Sequence, residues 1–244
     1  MSVAGKAVGL AAGRAARSVP IPDSVSRTLD ATLDRAIALQ TPTIVAHLDR
    51  LMQRHPGASQ GELLALLERR YLTFVSSIGA VAGGTAALPG AGVITTLTSA
   101  TVEIAAFIEA TALYSLSVAH VHGIPTDDPV YRRSLVLGVL LGQTGVDIVE
   151  QVTGTRSRWG EVLSRRGSQE RLGGLNNQLA RHVMARVGAG QGALLIGRAL
   201  PMGIGVAIGA SGNAALGRAA IRSTRAAFGP PAPAPSRRRR RQIR

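Results

Sequence analysis

The chain has 244 residues, 45% of them hydrophobic but only 3% aromatic, with 29 glycines and no cysteine. This composition excludes a disulfide framework, a cysteine-based zinc site and a thiol nucleophile, and it argues against β-rich folds, which favour aromatic and β-branched residues. The net charge of +14 is one-sided: residues 1–170 hold 15 basic and 14 acidic residues, whereas after Glu170 thirteen arginines follow with no acid, which points to an anionic partner.

Residues 1–22 read as a flexible basic N-terminus, with a weak interfacial helix as the alternative; their apolar run is interrupted by Gly5, Gly9 and Gly13 and lacks the Leu-rich stretch of a secretory signal. The segment "DSVSRTLDATLDRAIALQ" (23–40) predicts an amphipathic helix with Val25, Leu29, Leu33, Ala36 and Ile37 on one stripe behind an Asp23/Ser24 cap. "TIVAHLDRLMQRH" repeats the pattern through Ile44, Leu48, Leu51 and Met52, and stops at Pro56-Gly57. "SQGELLALLERRYLTFV" opens on a Ser59…Glu62 capping box. Residues 23–72 thus read as water-facing helices.

From Tyr71 through Val102 no residue is charged. The stretch exceeds the roughly 20 residues that a membrane-spanning helix needs, but Pro89-Gly90 divides it into halves too short to span. A hairpin is expected, either interfacial or buried. A helix from about Val93 to His122 follows, stopped by Gly123 and Pro125. The next restarts at "TDDPVYRRSLVLGVLLGQTGVDIVEQV" and is expected to run on as one helix, with Asp128 as N-cap and Pro129 at the first helical position. Residues 153–172 read as a polar loop with one short helix around Trp159, and "LNNQLARHVMARVG" as a further helix. "AALPGAGV" (86–93) and "RALPMGIGV" (198–206) echo each other, each within a run of small residues.

Pro201, Gly205, Gly209, Asn213 and Gly217 then fall at four-residue steps, and Gly79 and Gly83 share the spacing. On a helix such residues make a groove in which a second backbone can approach closely, the solution that membrane helices use. In water each helix glycine costs about 1 kcal/mol relative to alanine, so the contacts must return that loss. Gly79, Gly83, Pro89, Pro201, Gly205, Gly209 and Asn213 are therefore the candidate packing or cleft residues, with helix packing first and a lipid or ligand cleft second. "RAAIRSTRAAF" continues the last helix and places Arg218, Arg222 and Arg225 on one basic stripe. Residues 229–244 form a Pro-rich, disordered tail that carries Arg237, Arg238, Arg239, Arg240 and Arg241.

The stretch "SVAHVHGIPTDDPVYRRSLVLGVLLG" (117–142) and the closing "RALPMGIGVAIGASGNAALGRAAIRSTRAAF" resemble the EcsC family, and "AALPGAGV" leading into the helix with Glu103 fits the start of its pattern. The resemblance covers roughly residues 75–228 and departs from the family at "HVHG", where aromatic residues of a Tyr-Gly type are expected. It implies a mainly helical, membrane-associated bacterial protein with no assigned catalytic activity, and an EcsC-like domain over residues 73–228.

Candidate chemistry is sparse. His120 and His122, followed by Asp127 and Asp128, come nearest to a metal-ligand set, but residues two apart on a helix diverge. The alternative places histidine favourably at a helix C-terminus and makes Asp128 a cap. Glu103 and Glu109, about 240° apart around a helix, cannot form a carboxylate dyad; each is a candidate buried polar group or the partner of Arg132 or Arg133. There is no Walker loop, nucleophile elbow or HExxH motif, so nothing supports catalysis, and no cofactor is expected.

Together these features predict an all-α, compact bundle of about seven to nine helices with Gly/Ala-rich close-packed hairpins. The function expected is attachment at the cytoplasmic face of the cell membrane, peripheral or partly inserted. Arg218, Arg222, Arg225 and Arg237–Arg241 would hold anionic headgroups, with room for a protein partner at that membrane. The alternative is a scaffold that binds nucleic acid non-specifically through the same arginines. Against it, the basic tail lacks the interleaved aromatics on which bases stack.

Overall fold

The computed structural model of the chain describes residues 23–38, 41–86, 93–166, 168–197 and 204–231. The described residues form nine helices and no strand, so the protein is an all-α bundle. In chain order the helices are α1 (Asp23–Ile37), α2 (Thr41–Arg54), α3 (Gln60–Ala86), α4 (Val93–Val121), α5 (Pro129–Leu141), α6 (Gln143–Thr153), α7 (Trp159–Arg166), α8 (Gln169–Gly197) and α9 (Ile204–Phe228).

Local chemistry sets the helix ends. At the start of α3 the Ser59 amide donates to Glu62 Oε2 (2.7 Å) while the Glu62 amide donates to Ser59 Oγ (3.3 Å), the reciprocal capping box. Helix α4 closes with Gly123 at φ +69°, the Gly123 amide bonding His120 O and the Ile124 amide reaching back to Ala119 O. A left-handed residue allows that wrap, and glycine adopts it without a steric penalty. Asp128 caps α5 by accepting from the Val130 amide (2.8 Å), with Pro129 in the first turn. The short helix expected at Trp159 is α7, and Gln169 already opens α8, so much of the polar 153–172 stretch is helical.

Apolar positions at helical spacing face one shared core. Leu33, Ala36 and Ile37 of α1 and Ile44, Leu48 and Leu51 of α2 are buried, and they join Val75, Leu116, Leu135, Leu137, Trp159, Leu179 and Phe228 in a single cluster. Met52, on the same expected stripe, is exposed instead, at the edge of the α2 arc. The sequence division at residue 72/73 runs through the middle of α3, and residues from both sides of it belong to that cluster.

Helix α3 packs most extensively on α9 and next on α4. Its link to α4 and the meeting of Tyr71 with Thr111 (Oη to Oγ1, 2.8 Å) and with the Tyr114 ring (4.5 Å between centroids) make these two an antiparallel hairpin. Helix α9 also runs antiparallel to α3: Gly217 lies against Val75 and Leu72, and Arg225 meets Glu68. Helices α4 and α9 therefore run parallel, joined by Glu103 with Asn213 and by Tyr114 with Thr224. On the other side α5 packs on α8, α6 and α4.

Glycine permits the tightest contacts. A β-carbon on Gly138 would lie 2.9 Å from the Trp159 ring, one on Gly142 3.2 Å from Ala219 Cβ, and one on Gly217 2.8 Å from Val75 Cγ2. Gly138, Gly142 and Gly217, the last member of the 201–217 series, thus serve close packing between helices.

Candidate functional site

Helix α9 carries the candidate site. Its lower half alternates buried small or apolar residues (Gly217, Ala220, Ile221, Thr224) with exposed Arg218, Arg222 and Arg225 at positions i, i+4 and i+7, so one face enters the core and the other presents a basic stripe. The stripe is not uniform. Arg225 is held by Glu68 in a two-pronged pair, Nε to Oε1 at 2.7 Å and Nη2 to Oε2 at 2.5 Å. Arg218 and Arg222 pair with no carboxylate among the described residues. Among the described residues two cations of α9, Arg218 and Arg222, are exposed without a carboxylate partner, where the sequence alone counts three.

Arg222 stands beside a shallow cleft of about 210 Å³ between α6 and α9, where Gln143, Arg156 and Ser223 also face the opening. Arg156 is already bound to Asp147 (2.5 Å) and Glu150 (2.8 Å), and Gln143 donates to Asp147 Oδ1. Ser223 Oγ donates to the Gly138 carbonyl (3.3 Å). Of the two arginines that line the cleft, Arg222 is the one with no carboxylate partner among the described residues. The cleft can accept a phosphate or carboxylate edge, and it contains no nucleophile–base pair.

The two glutamates of α4 go separate ways. Glu103 accepts a hydrogen bond from Asn213 Nδ2 at 2.7 Å; burial raises its pKa, and the Asn213 bond opposes that rise. Glu109 lies 3.9 Å from the exposed Arg35. Arg133 bonds Asp34 (2.7 Å) rather than either glutamate. His120 is exposed, whereas His122 stacks on Phe228 with centroids 5.5 Å apart. Burial and the nearby Arg158 lower the pKa of His122, which favours the neutral ring. Among the described residues no three His, Cys, Asp or Glu side chains gather as a metal site.

Gly79 and Gly83 lie on α3, and Gly205 and Gly209 on α9; their surroundings fall outside what is described. Pro89, Pro201 and Arg237–Arg241 lie outside the described residues. Asn213, chosen for its spacing among glycines, proves to be a polar link between α9 and α4. Sequence reasoning missed Glu68, whose helix position resembles that of any exposed charge. It placed a short helix at Trp159 but not the burial of the ring, which a polar neighbourhood disguises.

One described segment, Val102–Val121 of α4, is long and apolar enough to cross a membrane, and half of it is buried in the bundle. Comparison of the chain with protein-family models, curated proteins and solved structures finds no match.

Proposed function

We propose that the chain is a membrane-associated helical protein of the EcsC type, with no assigned catalytic activity, held to anionic lipid by α9 and the arginine-rich tail at the cytoplasmic face of the cell membrane. The observation that carries this reading is the exposure of Arg218 and Arg222 on α9 without carboxylate partners among the described residues, in a sequence that continues to Arg237–Arg241 with no acid after Glu170. Each basic residue near an anionic surface contributes about 1 kcal/mol. The helix pair alone would therefore give weak adhesion, and the tail would make it useful and sensitive to salt.

Flotation with vesicles tests the proposal. The full chain should rise with phosphatidylglycerol vesicles and not with phosphatidylcholine, and high salt should release it. Replacing Arg218 and Arg222 by glutamine should weaken recovery, and replacing Arg237 through Arg241 as well should abolish it. Equal recovery on both lipids, or on neither, overturns the reading. So does a nucleic-acid complex that keeps sequence preference at moderate salt, because purely electrostatic binding is non-specific and falls steeply with salt.

A further inference from the structure

The contact between Glu103 and Asn213 marks a boundary in the bundle. Glu103 meets Asn213, and eleven residues further along each helix Tyr114 meets Thr224, so α4 and α9 hold one parallel register. Val93 and Ile204, the first residues of those helices, are therefore nearly level. Helix α3 runs the opposite way beside α9, with Val75 opposite Gly217. Four residues on, Gly79 reaches the level of Asn213, and the helix ends at Ala86.

Three helix ends thus form one pole beyond this contact: 79–86 of α3, 93–102 of α4 and 204–212 of α9. None contains Asp, Glu, Lys, Arg or His. At 1.5 Å per residue the ten residues from Val93 to Val102 rise about 15 Å, which matches one leaflet of a hydrocarbon core about 30 Å thick.

The rim supplies an independent observation. Among the described residues the most exposed large apolar side chains are Val102 (67%) and Phe74 (51%). Val102 sits just above the Glu103 level, and Phe74 is just over a turn below it on α3. Arg218 lies five residues below Asn213, about 8 Å along the helix axis, which places it at headgroup depth.

We infer that this charge-free pole is a lipid-inserting tip that enters one leaflet of an anionic bilayer, with Glu103 and Asn213 at the level where hydrocarbon meets headgroups. Helical backbone satisfies its own hydrogen bonds and can enter lipid, and small residues permit close helix packing there. Lipid rather than a second copy of the chain suits the pole, because the exposed Arg218 and Arg222 stand below it, where anionic headgroups would meet them. The inference rests on the membrane reading above.

The chain has no native cysteine, so single-cysteine variants can carry an environment-sensitive dye. Val102→Cys, Phe74→Cys and, outside the pole, Val152→Cys all replace exposed side chains. On phosphatidylglycerol vesicles the dye at 102 should shift to the blue, brighten severalfold and be quenched by a spin label on the lipid acyl chains. The dye at 74 should respond less, and the dye at 152 not at all. Val102→Asp should lower vesicle affinity severalfold, whereas Val152→Asp should not. If the protein floats but the dye at 102 stays in water, the tip is refuted and headgroup binding stands. If nothing floats, both fall. A blue shift without vesicles that grows with protein concentration identifies a second copy as the occupant and overturns the inference.

Discussion

Gly145 lies against the Gly138 carbonyl: a β-carbon at 145 would strike the carbonyl oxygen and stand 2.8 Å from its carbon. The two residues flank Gly142, whose φ of +60° turns the chain from α5 into α6. Because the obstacle is backbone, no side chain can move aside for the added methyl. Gly145→Ala should therefore destabilise the fold by about 1–3 kcal/mol, the usual cost of overpacking, despite the gain in helix propensity. Gly174 in α8 is exposed with nothing near its missing β-carbon. Gly174→Ala should stabilise by up to about 1 kcal/mol. Urea unfolding followed by circular dichroism reads both, and the same sign for the two variants would contradict the packing.

Two buried tyrosines offer an opposed pair. The Tyr71 hydroxyl meets Thr111 Oγ1, which itself donates to the Phe107 carbonyl (2.7 Å), so Tyr71 is the donor in the first bond. Tyr71→Phe should cost about 1 kcal/mol, a typical net hydrogen bond. Tyr131 is just as buried, but its hydroxyl has no hydrogen-bond partner among the described residues. Tyr131→Phe removes an unsatisfied polar atom and should stabilise by about 1–3 kcal/mol. Equilibrium unfolding of both variants checks the opposite signs.

The features legible in the sequence are those whose physics is local. The Ser59–Glu62 box, the Asp128 cap and the Gly123 stop each depend on residues within a turn or two of one another, and each stands where spacing put it. Glu103 and Glu109, six apart, do take different partners. Hidden from the sequence were pairs separated by the whole bundle. Glu68 with Arg225 spans 157 residues and Asn213 with Glu103 spans 110. Nothing in the composition near Glu68 separates it from a solvated charge; only the antiparallel register of α3 and α9 brings its carboxylate to the guanidinium. Arg225 therefore reads from sequence as a free cation and in the fold is a paired one.

Glu103 makes stability depend on pH. Burial raises its folded pKa above the unfolded value of about 4.5, so between the two values the folded state binds more protons than the unfolded chain. Stability contributed by this group is fully present below the unfolded pKa and is lost as pH rises through the folded one. Glu103→Gln keeps an oxygen for Asn213 and removes the charge. The variant should be more stable than the parent at pH 7, with the difference shrinking to nothing near pH 4. Thermal unfolding across that range tests it, and a difference independent of pH would show that the carboxylate is not the cause.

The Glu68–Arg225 pair sets the last expectation. Both partners are at or near the surface, with Arg225 largely exposed, so the pair contributes no more than about 1 kcal/mol to stability. Its larger effect is on the basic face, because it withholds one of three arginines from an anionic partner. Glu68→Gln releases Arg225 and removes a negative charge beside it. If anionic lipid is the partner, the variant should bind phosphatidylglycerol vesicles about fivefold more tightly at low salt, the equivalent of one more basic residue worth about 1 kcal/mol. The gain should vanish in high salt as screening shortens the reach of each charge. Glu68→Gln combined with Arg225→Gln should return to or below the parent affinity, which separates a released cation from a general loosening of α3 against α9.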